Sequence, residues 1–338
     1  MREYAYSALA AVVALGLLAL VVWLAGPQQT LRTLERLDAW QALTLIATAF
    51  GVSAFTALAW QVILGRSGHS LPVWLLFRLT VLAFAAGWVI PSGFVAGIPV
   101  AAYFLKRRGV PFSQGLASCG ISRFLEITAY AAILPLALLS EIGSRRTIQV
   151  LALVVIAGVV LVYLDLLLHW RLARRGLGCL KRVLPRFAER SLEAAVGFCR
   201  DVADFFRAPP GIIVFAAVYS FAAIGIALVR ALLTNAFLEL GLTTPEVVVM
   251  FAITVFLMAV PFLPGAIGAY EGGIAGAFEL IGRSKADGLA YALTVHTTEL
   301  VVVAAGFIVL GHLGFGMLRH ERPHAPARGQ TRRAHGRA

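Results

Sequence analysis

The feature that most limits how this chain can fold is a series of long apolar runs, such as "SALAAVVALGLLALVVWLAG" and "VLALVVIAGVVLVYLDLLL". About 20 apolar residues are needed to cross roughly 30 Å of hydrocarbon as a helix. Only helices and closed barrels satisfy their backbone hydrogen bonds in lipid, and these runs lack the alternating pattern of barrel strands. The sequence therefore predicts an all-α, polytopic integral membrane protein.

Composition supports this class, since 60% of the 338 residues are hydrophobic and 14% are charged. In soluble domains, about half of the residues are apolar and about a quarter are charged. The first run is longer than the apolar core of a cleaved signal peptide, so we expect it to remain as a helix. The predicted spanning helices cover about 6–25, 40–64, 116–139, 148–168, 211–234 and 286–316.

Two further apolar segments, about 71–105 and 247–280, are interrupted by "IPSGFVAGIP" and "PFLPGAIGAYEGG". Proline breaks a helix, and glycine lets backbones approach closely. Irregular backbone at membrane depth is tolerated only where it is buried in protein or lines a wet cavity. We therefore predict two re-entrant broken-helix hairpins, the alternative being kinked spanning helices. The predicted hinge residues are Pro91, Gly93, Gly97, Pro264, Gly265, Gly268 and Gly272.

The two broken segments also match each other along the chain. When Pro91 is aligned with Pro264, the match continues without a gap through the helix that follows each break. A shared break followed by a shared polar pattern predicts an internal repeat. The further matched pairs are Leu116 with Leu289, Arg123 with His296, and Glu126 with Glu299.

The basic residues number 29 against 17 acidic ones, a net charge of +12. They concentrate around Lys106, within 171–210 and in the C-terminal tail, which indicates cytoplasmic loops rather than a nucleic-acid surface. We expect a plasma-membrane protein with both termini cytoplasmic. The hairpins then enter from opposite faces, as in an inverted-topology repeat.

We divide the chain into a transmembrane domain and a tail. The transmembrane domain covers residues 1–318 and includes a cytoplasmic amphipathic connector at about 171–210, where basic and apolar residues alternate. Residues 319–338 are basic and rich in proline and histidine, so we expect this tail to be disordered.

Ionisable residues within the apolar segments are the candidate substrate-path and headgroup-binding residues. A charged side chain at mid-membrane costs on the order of 2.5–3.5 kcal/mol, so it usually faces a cavity or a partner. Arg123 with Glu126, and His296 with Glu299, are spaced i, i+3, so each pair shares a helix face. Such pairs indicate either structural ion pairs or a functional site. The functional site would be a headgroup site or a proton relay, since histidine can change charge near neutral pH. The candidates are Glu271, Arg123, Glu126, His296 and Glu299.

Glu271 lies where the second broken segment resumes as a helix, near Ala269. The amino end of a helix attracts anions such as a phosphate headgroup, and a carboxylate side chain can equally cap it. Both roles remain open for Glu271. We predict no catalytic residue and no cofactor, and a metal site at His296 and Glu299 is disfavoured because no other His or Cys lies nearby in sequence.

The stretch "IPSGFVAGIPVAAYFLKRRGVPFSQGLASCGISRFLE", with "LPGAIGAYEGG" late in the chain, resembles the lysylphosphatidylglycerol synthetase transmembrane-region family of flippase-like membrane proteins. The resemblance covers roughly residues 5–317. It implies members that move aminoacylated phospholipids between leaflets, or that serve hopanoid, isoprenoid-lipid or glycolipid pathways. The late family pattern is matched by Pro264, Gly265, Gly268, Glu271 and Gly272.

The early family pattern is matched only in part. Pro91 and Gly97 remain, but Ile98 and Ala101 stand where the resemblance implies a glutamate and an arginine. The arginine that is usual in the second half appears as His296. No soluble synthetase domain follows the last helix in this sequence, so we do not expect the two-function enzyme.

These observations predict a multi-pass lipid transporter of the flippase or scramblase kind, and not an enzyme. Its partners would be membrane lipids of the phospholipid, isoprenoid or hopanoid classes, and the sequence holds no P-loop to supply energy. One alternative is a transferase using a lipid-linked donor, although the outside loops lack an acidic cluster for such chemistry. Another is a non-transporting partner subunit of a lipid-synthesis enzyme.

Overall fold

The computed structural model describes residues 27–90, 96–137, 201–207, 209–258 and 263–320, with scattered residues between 150 and 161. The helices in these ranges are α1 (Pro27–Leu34), α2 (Ala39–Arg66), α3 (Val73–Val89), α4 (Gly97–Lys106), α5 (Phe112–Ala137), α6 (Pro210–Phe237), α7 (Thr244–Met258), α8 (Ala269–Leu280) and α9 (Lys285–His320). The described residues contain no β-strand, as the sequence predicts.

Within the described residues, four helices are long and apolar enough to cross a membrane. They cover Ala39–Arg66, Phe112–Ile133, Pro210–Phe237 and Lys285–Leu313. Four of the predicted spanning helices are thereby confirmed. The prediction at 6–25, more than half of that at 148–168, most of the connector and the tail from 321 onward lie outside the described residues.

Helix α6 illustrates why these helices suit lipid. Its buried face contains small residues, which let neighbouring helices approach closely. Its exposed face carries large apolar side chains, which a helix in water would bury. The small buried residues include Ala216, Ser220, Ala223 and Ala227. The large exposed residues are Val214, Phe215, Val218, Phe221 and Val229.

Both predicted broken segments consist of two short helices that pack against each other. In the second, α7 ends at Met258 and α8 begins at Ala269, and the described residues between them include a 3-10 turn at Pro264–Ala266 and the turn that follows it. In the first, α3 ends at Val89 and α4 begins at Gly97, while Pro91 and Gly93 lie outside the described residues. An added Cβ at Gly97 would collide with the carbonyl oxygen of Ala83, so α4 begins in close contact with α3.

The two ends of each broken segment lie together, which makes each one a hairpin. Before α7 and after α8, the Arg283 guanidinium donates to the carbonyl oxygen of Gly241 at 2.6 Å. Before α3 and after α4, His69 Nε2 lies 2.8 Å from Oε1 of Gln114. The re-entry of these hairpins into one face of a membrane stays a prediction.

The chain contains a structural repeat, because α2–α5 and α6–α9 share one order of elements: a long helix, a hairpin of two short helices and another long helix. The turn after each hairpin has the same form. Gly109 and Gly282 have φ angles of 88° and 75°. In the first turn the next amide donates to Leu105 O at 3.2 Å, and in the second to Phe278 O at 2.9 Å.

Packing within the two repeats matches as well. An added Cβ at Gly115 would lie 3.2 Å from Cα of Ala102, and one at Gly288 would lie 2.9 Å from Cα of Ala275. These two pairs correspond to each other in the same ungapped alignment that matches the two break prolines. The predicted repeat is therefore present in the structure, and it begins earlier than predicted, at α2.

Equivalent helices of the two repeats run antiparallel. On α2 and α6, an added Cβ at Gly51 would lie 3.4 Å from Ile226, and the rings of Phe55 and Tyr219 are 6.4 Å apart. Residue numbers therefore rise on α2 as they fall on α6. In addition, α5 packs on α7 while α9 packs on α3, so each repeat's last helix lies against the other's hairpin. Antiparallel equivalent helices are what an inverted-topology repeat predicts.

The two hairpins meet inside this bundle. Trp88, at the end of α3, packs its ring against Gly265 in the turn between α7 and α8, where an added Cβ would lie 2.5 Å from the ring. Gly265 has a φ of 58°, a backbone conformation that favours glycine. The fold thus joins the hairpin of one repeat to the break of the other.

Candidate functional site

The second break places Glu271 at the amino end of α8. The amide of Gly268 donates to Oε2 of Glu271 at 2.6 Å, and the side chain of Glu271 is 2% exposed. Gly268 adopts a φ of 82°, which a residue with a Cβ rarely adopts. The carboxylate therefore makes the capping contact anticipated from the sequence, and its charge complements the helix dipole.

The other oxygen of Glu271 contacts His296 on α9. Nδ1 of His296 lies 2.5 Å from Oε1 of Glu271, and the histidine side chain is 5% exposed. Whether the imidazole is neutral and donates from Nδ1 or is protonated and forms an ion pair, this contact ties the hairpin to the following helix. The sequence had matched His296 with Glu299, but the structure pairs it with Glu271.

Glu299 instead pairs with Arg230 of α6. Nη2 of Arg230 lies 3.1 Å from Oε1 of Glu299, and both side chains are almost fully buried. Sequence reasoning missed Arg230, although it is the only charged residue in α6. The energetic penalty for a charge within an apolar spanning helix was the signal that could have singled it out.

Several buried polar atoms near these pairs have no hydrogen-bond partner in the described part of the chain. The ring of His296 lies between two aromatic rings, with centroids 4.3 Å from Tyr270 and 5.9 Å from Trp88. Buried polar groups are normally paired, so each unpaired one calls for an explanation. The unpartnered atoms are Trp88 Nε1, Ser122 Oγ, His296 Nε2 and Glu299 Oε2.

The first repeat holds the predicted pair on α5. Nη1 of Arg123 lies 2.6 Å from Oε2 of Glu126, and Thr56 donates to the other oxygen of Glu126 at 3.0 Å. Glu126 is buried, whereas the side chain of Arg123 is 42% exposed. Both carboxylate oxygens of Glu126 therefore have a partner, whereas part of the Arg123 guanidinium remains accessible.

Arg123 faces a small, partly open cleft between α2, α3, α4 and α5, with a volume of about 30 Å³. The residues at the positions where the family resemblance implied a glutamate and an arginine form part of its wall. The lining includes Thr80, Ser122 and Arg123 on the polar side and Gly97, Ile98 and Ala101 on α4.

Tyr130 on α5 lies near both of these ion pairs. Its hydroxyl, on α5, is close enough to interact electrostatically with all four charged residues of the two ion pairs: Arg123, Glu126, Arg230 and Glu299. The five ionisable residues singled out by the sequence thus lie in one interior region, with Arg230 added. Of the predicted hinge residues, Gly97 begins α4, and Pro264, Gly265, Gly268 and Gly272 form the second break and the first turn of α8.

Comparison with known proteins now identifies the family. A family model described as the lysylphosphatidylglycerol synthase TM region matches residues 7–306. The chain belongs to this family. A UPF0104 membrane protein of Methanothermobacter thermautotrophicus is 29% identical over 290 residues, covering 78% of this chain and 80% of the relative. Another from the same organism is 25% identical over 287 residues, covering 79% and 80%.

No solved structure gives a significant match to the chain. The match to the lysylphosphatidylglycerol synthase TM region includes both hairpins and all charged residues of the interior site. The family model therefore covers the part of the chain in which the two repeats meet.

Proposed function

We propose that this protein moves a lipid, or a lipid-linked headgroup, between the two leaflets of the plasma membrane. The observation that carries the proposal is the meeting of two broken-helix hairpins around buried charged residues in an apolar bundle. Charges in such a place are energetically costly and usually mark a substrate or ion path. Broken helices from two inverted repeats are typical of transporter binding sites.

The interior charges suit a path for a polar headgroup whose acyl or prenyl chains remain in lipid. Arg123 offers open hydrogen-bond donors at the cleft, while the second repeat holds its charges in two closed pairs. Because the repeats are equivalent, a rearrangement that closes one hairpin can open the other. The proposal assigns movement of lipid rather than group transfer, with both termini on the cytoplasmic side.

A vesicle assay tests this proposal. The full chain is reconstituted into liposomes that carry fluorescent phosphatidylglycerol, its lysyl ester or a prenyl phosphate, and an impermeant reductant is added outside. Without protein, only the outer leaflet is bleached, so about half of the signal is lost. Bleaching well beyond this level for any of these lipids supports transport, whereas bleaching equal to protein-free vesicles for all three argues against it.

A further inference from the structure

At equivalent positions, the second repeat has a carboxylate that the first repeat lacks. In the second repeat, Glu271 fills the amino end of α8 and contacts His296. At the equivalent positions of the first repeat stand Ile98 and Arg123. The first repeat therefore keeps the basic residue on its long helix and lacks the hairpin carboxylate that would face it.

This difference leaves hydrogen-bond donors at the cleft. Among the described residues, only Nη1 of Arg123 has a partner, and its side chain is 42% exposed. The ten-residue helix α4 begins at the same cleft, and no side chain in the described part of the chain caps its amino end. The amino end of a helix carries a partial positive charge that favours an anion.

Ser122 supplies an independent observation. Its side chain lines the same cleft and is 5% exposed, and its Oγ has no hydrogen-bond partner in the described part of the chain. A buried hydroxyl without a partner is unfavourable unless a ligand completes it. A guanidinium, a hydroxyl and a helix amino end together form a set of donors suited to phosphate oxygens.

We propose that the first-repeat cleft binds a phosphate oxyanion of a lipid headgroup, in the place that Glu271 fills in the second repeat. Glu126 already neutralises Arg123, so binding depends on open donors and the helix dipole rather than on net charge. Such a site holds its ligand weakly, as a transported headgroup requires. The choice of a lipid over free phosphate rests on the proposed function and on the apolar wall at Ile98 and Ala101.

Native mass spectrometry of the purified full chain in detergent tests the site. The probes are dioleoyl phosphatidic acid, dioleoylglycerol with the same tails and no phosphate, and inorganic phosphate. We expect phosphatidic acid to bind about tenfold more tightly than dioleoylglycerol, the scale of a charge-assisted contact. Equal binding of both lipids overturns the proposal. If inorganic phosphate binds as tightly as phosphatidic acid, the claim that the bound phosphate belongs to a lipid is overturned.

The most direct variant is Ile98→Glu, which places a carboxylate opposite Arg123 and imitates the second repeat. We expect it to lower phosphatidic acid binding about tenfold, because the new side chain occupies the anion's place. Ile98→Gln introduces a side chain of the same size as glutamate without the charge. It should weaken phosphatidic acid binding several-fold less than Ile98→Glu does. Undiminished binding by a folded Ile98→Glu protein overturns the proposal.

Ser122→Ala keeps the test decisive if Ile98→Glu does not fold. Removing an unpartnered buried hydroxyl should not lower the melting temperature, so any loss of binding reports on the ligand. Ser113→Ala is the matched control, the same change on the exposed part of α5. We expect several-fold weaker phosphatidic acid binding for Ser122→Ala and none of this loss for Ser113→Ala. Equal binding by the two variants overturns the role of the cleft.

The binding and vesicle assays separate the two proposals. Phosphate-dependent binding that Ile98→Glu removes, without movement of lipid in vesicles, supports the site and contradicts transport. Lipid movement that Ile98→Glu and Ser122→Ala leave unchanged supports transport and overturns the site.

Discussion

Glu271 and His296 form a buried contact that ties the second hairpin to α9, with 2.5 Å between Oε1 and Nδ1. The same carboxylate caps α8 through the Gly268 amide. One side chain therefore combines a structural role with a place in the interior charge network. The two roles respond differently to substitution, which makes them separable by experiment.

Glu271→Gln separates the cap from the charge. Glutamine keeps an acceptor for the Gly268 amide but loses the charge beside His296, so we expect a loss of about 1–3 kcal/mol in the free energy of unfolding. If the charge serves the lipid path, lipid movement in vesicles should be abolished while the protein stays monodisperse in detergent. Full transport activity with only the stability loss would reduce Glu271 to a cap.

His296→Arg tests whether the basic residue must be able to lose its proton. Arginine stays charged at all physiological pH values, whereas histidine can change charge between roughly pH 5.5 and 8. Glu271 contacts this residue directly, and Glu299 and Arg230 belong to the same region. If transport requires this residue to change charge, the variant should fold but its transport rate should lose the pH dependence of the unmodified protein. A pH profile identical to that of the unmodified protein would contradict a titrating role for His296.

The pair formed by Arg230 and Glu299 predicts strong coupling in a double-mutant cycle. Both side chains are almost fully buried, at 13% and 10% exposure. Removing one partner leaves the other charge buried and unpaired, which costs about 3–5 kcal/mol, whereas removing both restores neutrality. Thermal unfolding in detergent should show Arg230→Gln with Glu299→Gln to be more stable than either single variant. Additive losses would mean that the two charges are not paired.

The sequence predicted the long helices and the broken segments because both signals are local: apolar length, and proline with glycine. It also predicted the repeat, because matching residue types recur at one constant offset, as Pro91 with Pro264 and Glu126 with Glu299 show. The i, i+3 rule found the Arg123–Glu126 pair, since both residues lie on one helix. The same rule misled at His296, whose nearest carboxylate belongs to another helix.

Pairing across helices depends on how the helices cross, which a single sequence does not reveal. Arg230 was therefore missed, and so was the contact of Trp88 with Gly265 that joins the two hairpins. The asymmetry between a closed second repeat and an open first repeat could be partly anticipated. Ile98 visibly replaces a glutamate in the family pattern, but only the structure shows Arg123 left facing a cleft.

Gly265→Ala should disrupt the contact between the hairpins. The positive φ of Gly265 costs an L-residue about 1–2 kcal/mol, and the added methyl group would also collide with Trp88. Gly276→Ala is the matched control, because this helical position has no atom within 4 Å of an added Cβ. We expect a clear fall in the melting temperature for Gly265→Ala and an unchanged or higher one for Gly276→Ala. Equal melting temperatures would show that the break tolerates a side chain.

The arrangement of the hairpins leads to a topology that chemical labelling can test. The start and the end of the second hairpin lie together, since Arg283 contacts the carbonyl oxygen of Gly241, and the predicted topology places both ends on the outside. The predicted topology leaves four basic residues outside, of which Arg145 and Arg146 lie beyond the described residues. The other two are engaged, Arg283 in this contact and Lys285 with Glu279 at 3.0 Å. Because these two side chains are bound within the protein, they are weaker evidence for a cytoplasmic position of this turn.

In a chain without its native cysteines, single introduced cysteines report their side of the membrane. Arg108→Cys, in the turn after the first hairpin, and Arg328→Cys, in the tail, should be shielded from an impermeant thiol reagent in whole cells. Thr244→Cys, at the exposed start of α7, should be labelled. Permeabilised cells provide the control, since all three sites should then react. Labelling of Arg328→Cys from outside would place the tail opposite to the prediction. Protection of Thr244→Cys in intact cells, with labelling after permeabilisation, would put the second hairpin on the cytoplasmic face and contradict the inverted repeat.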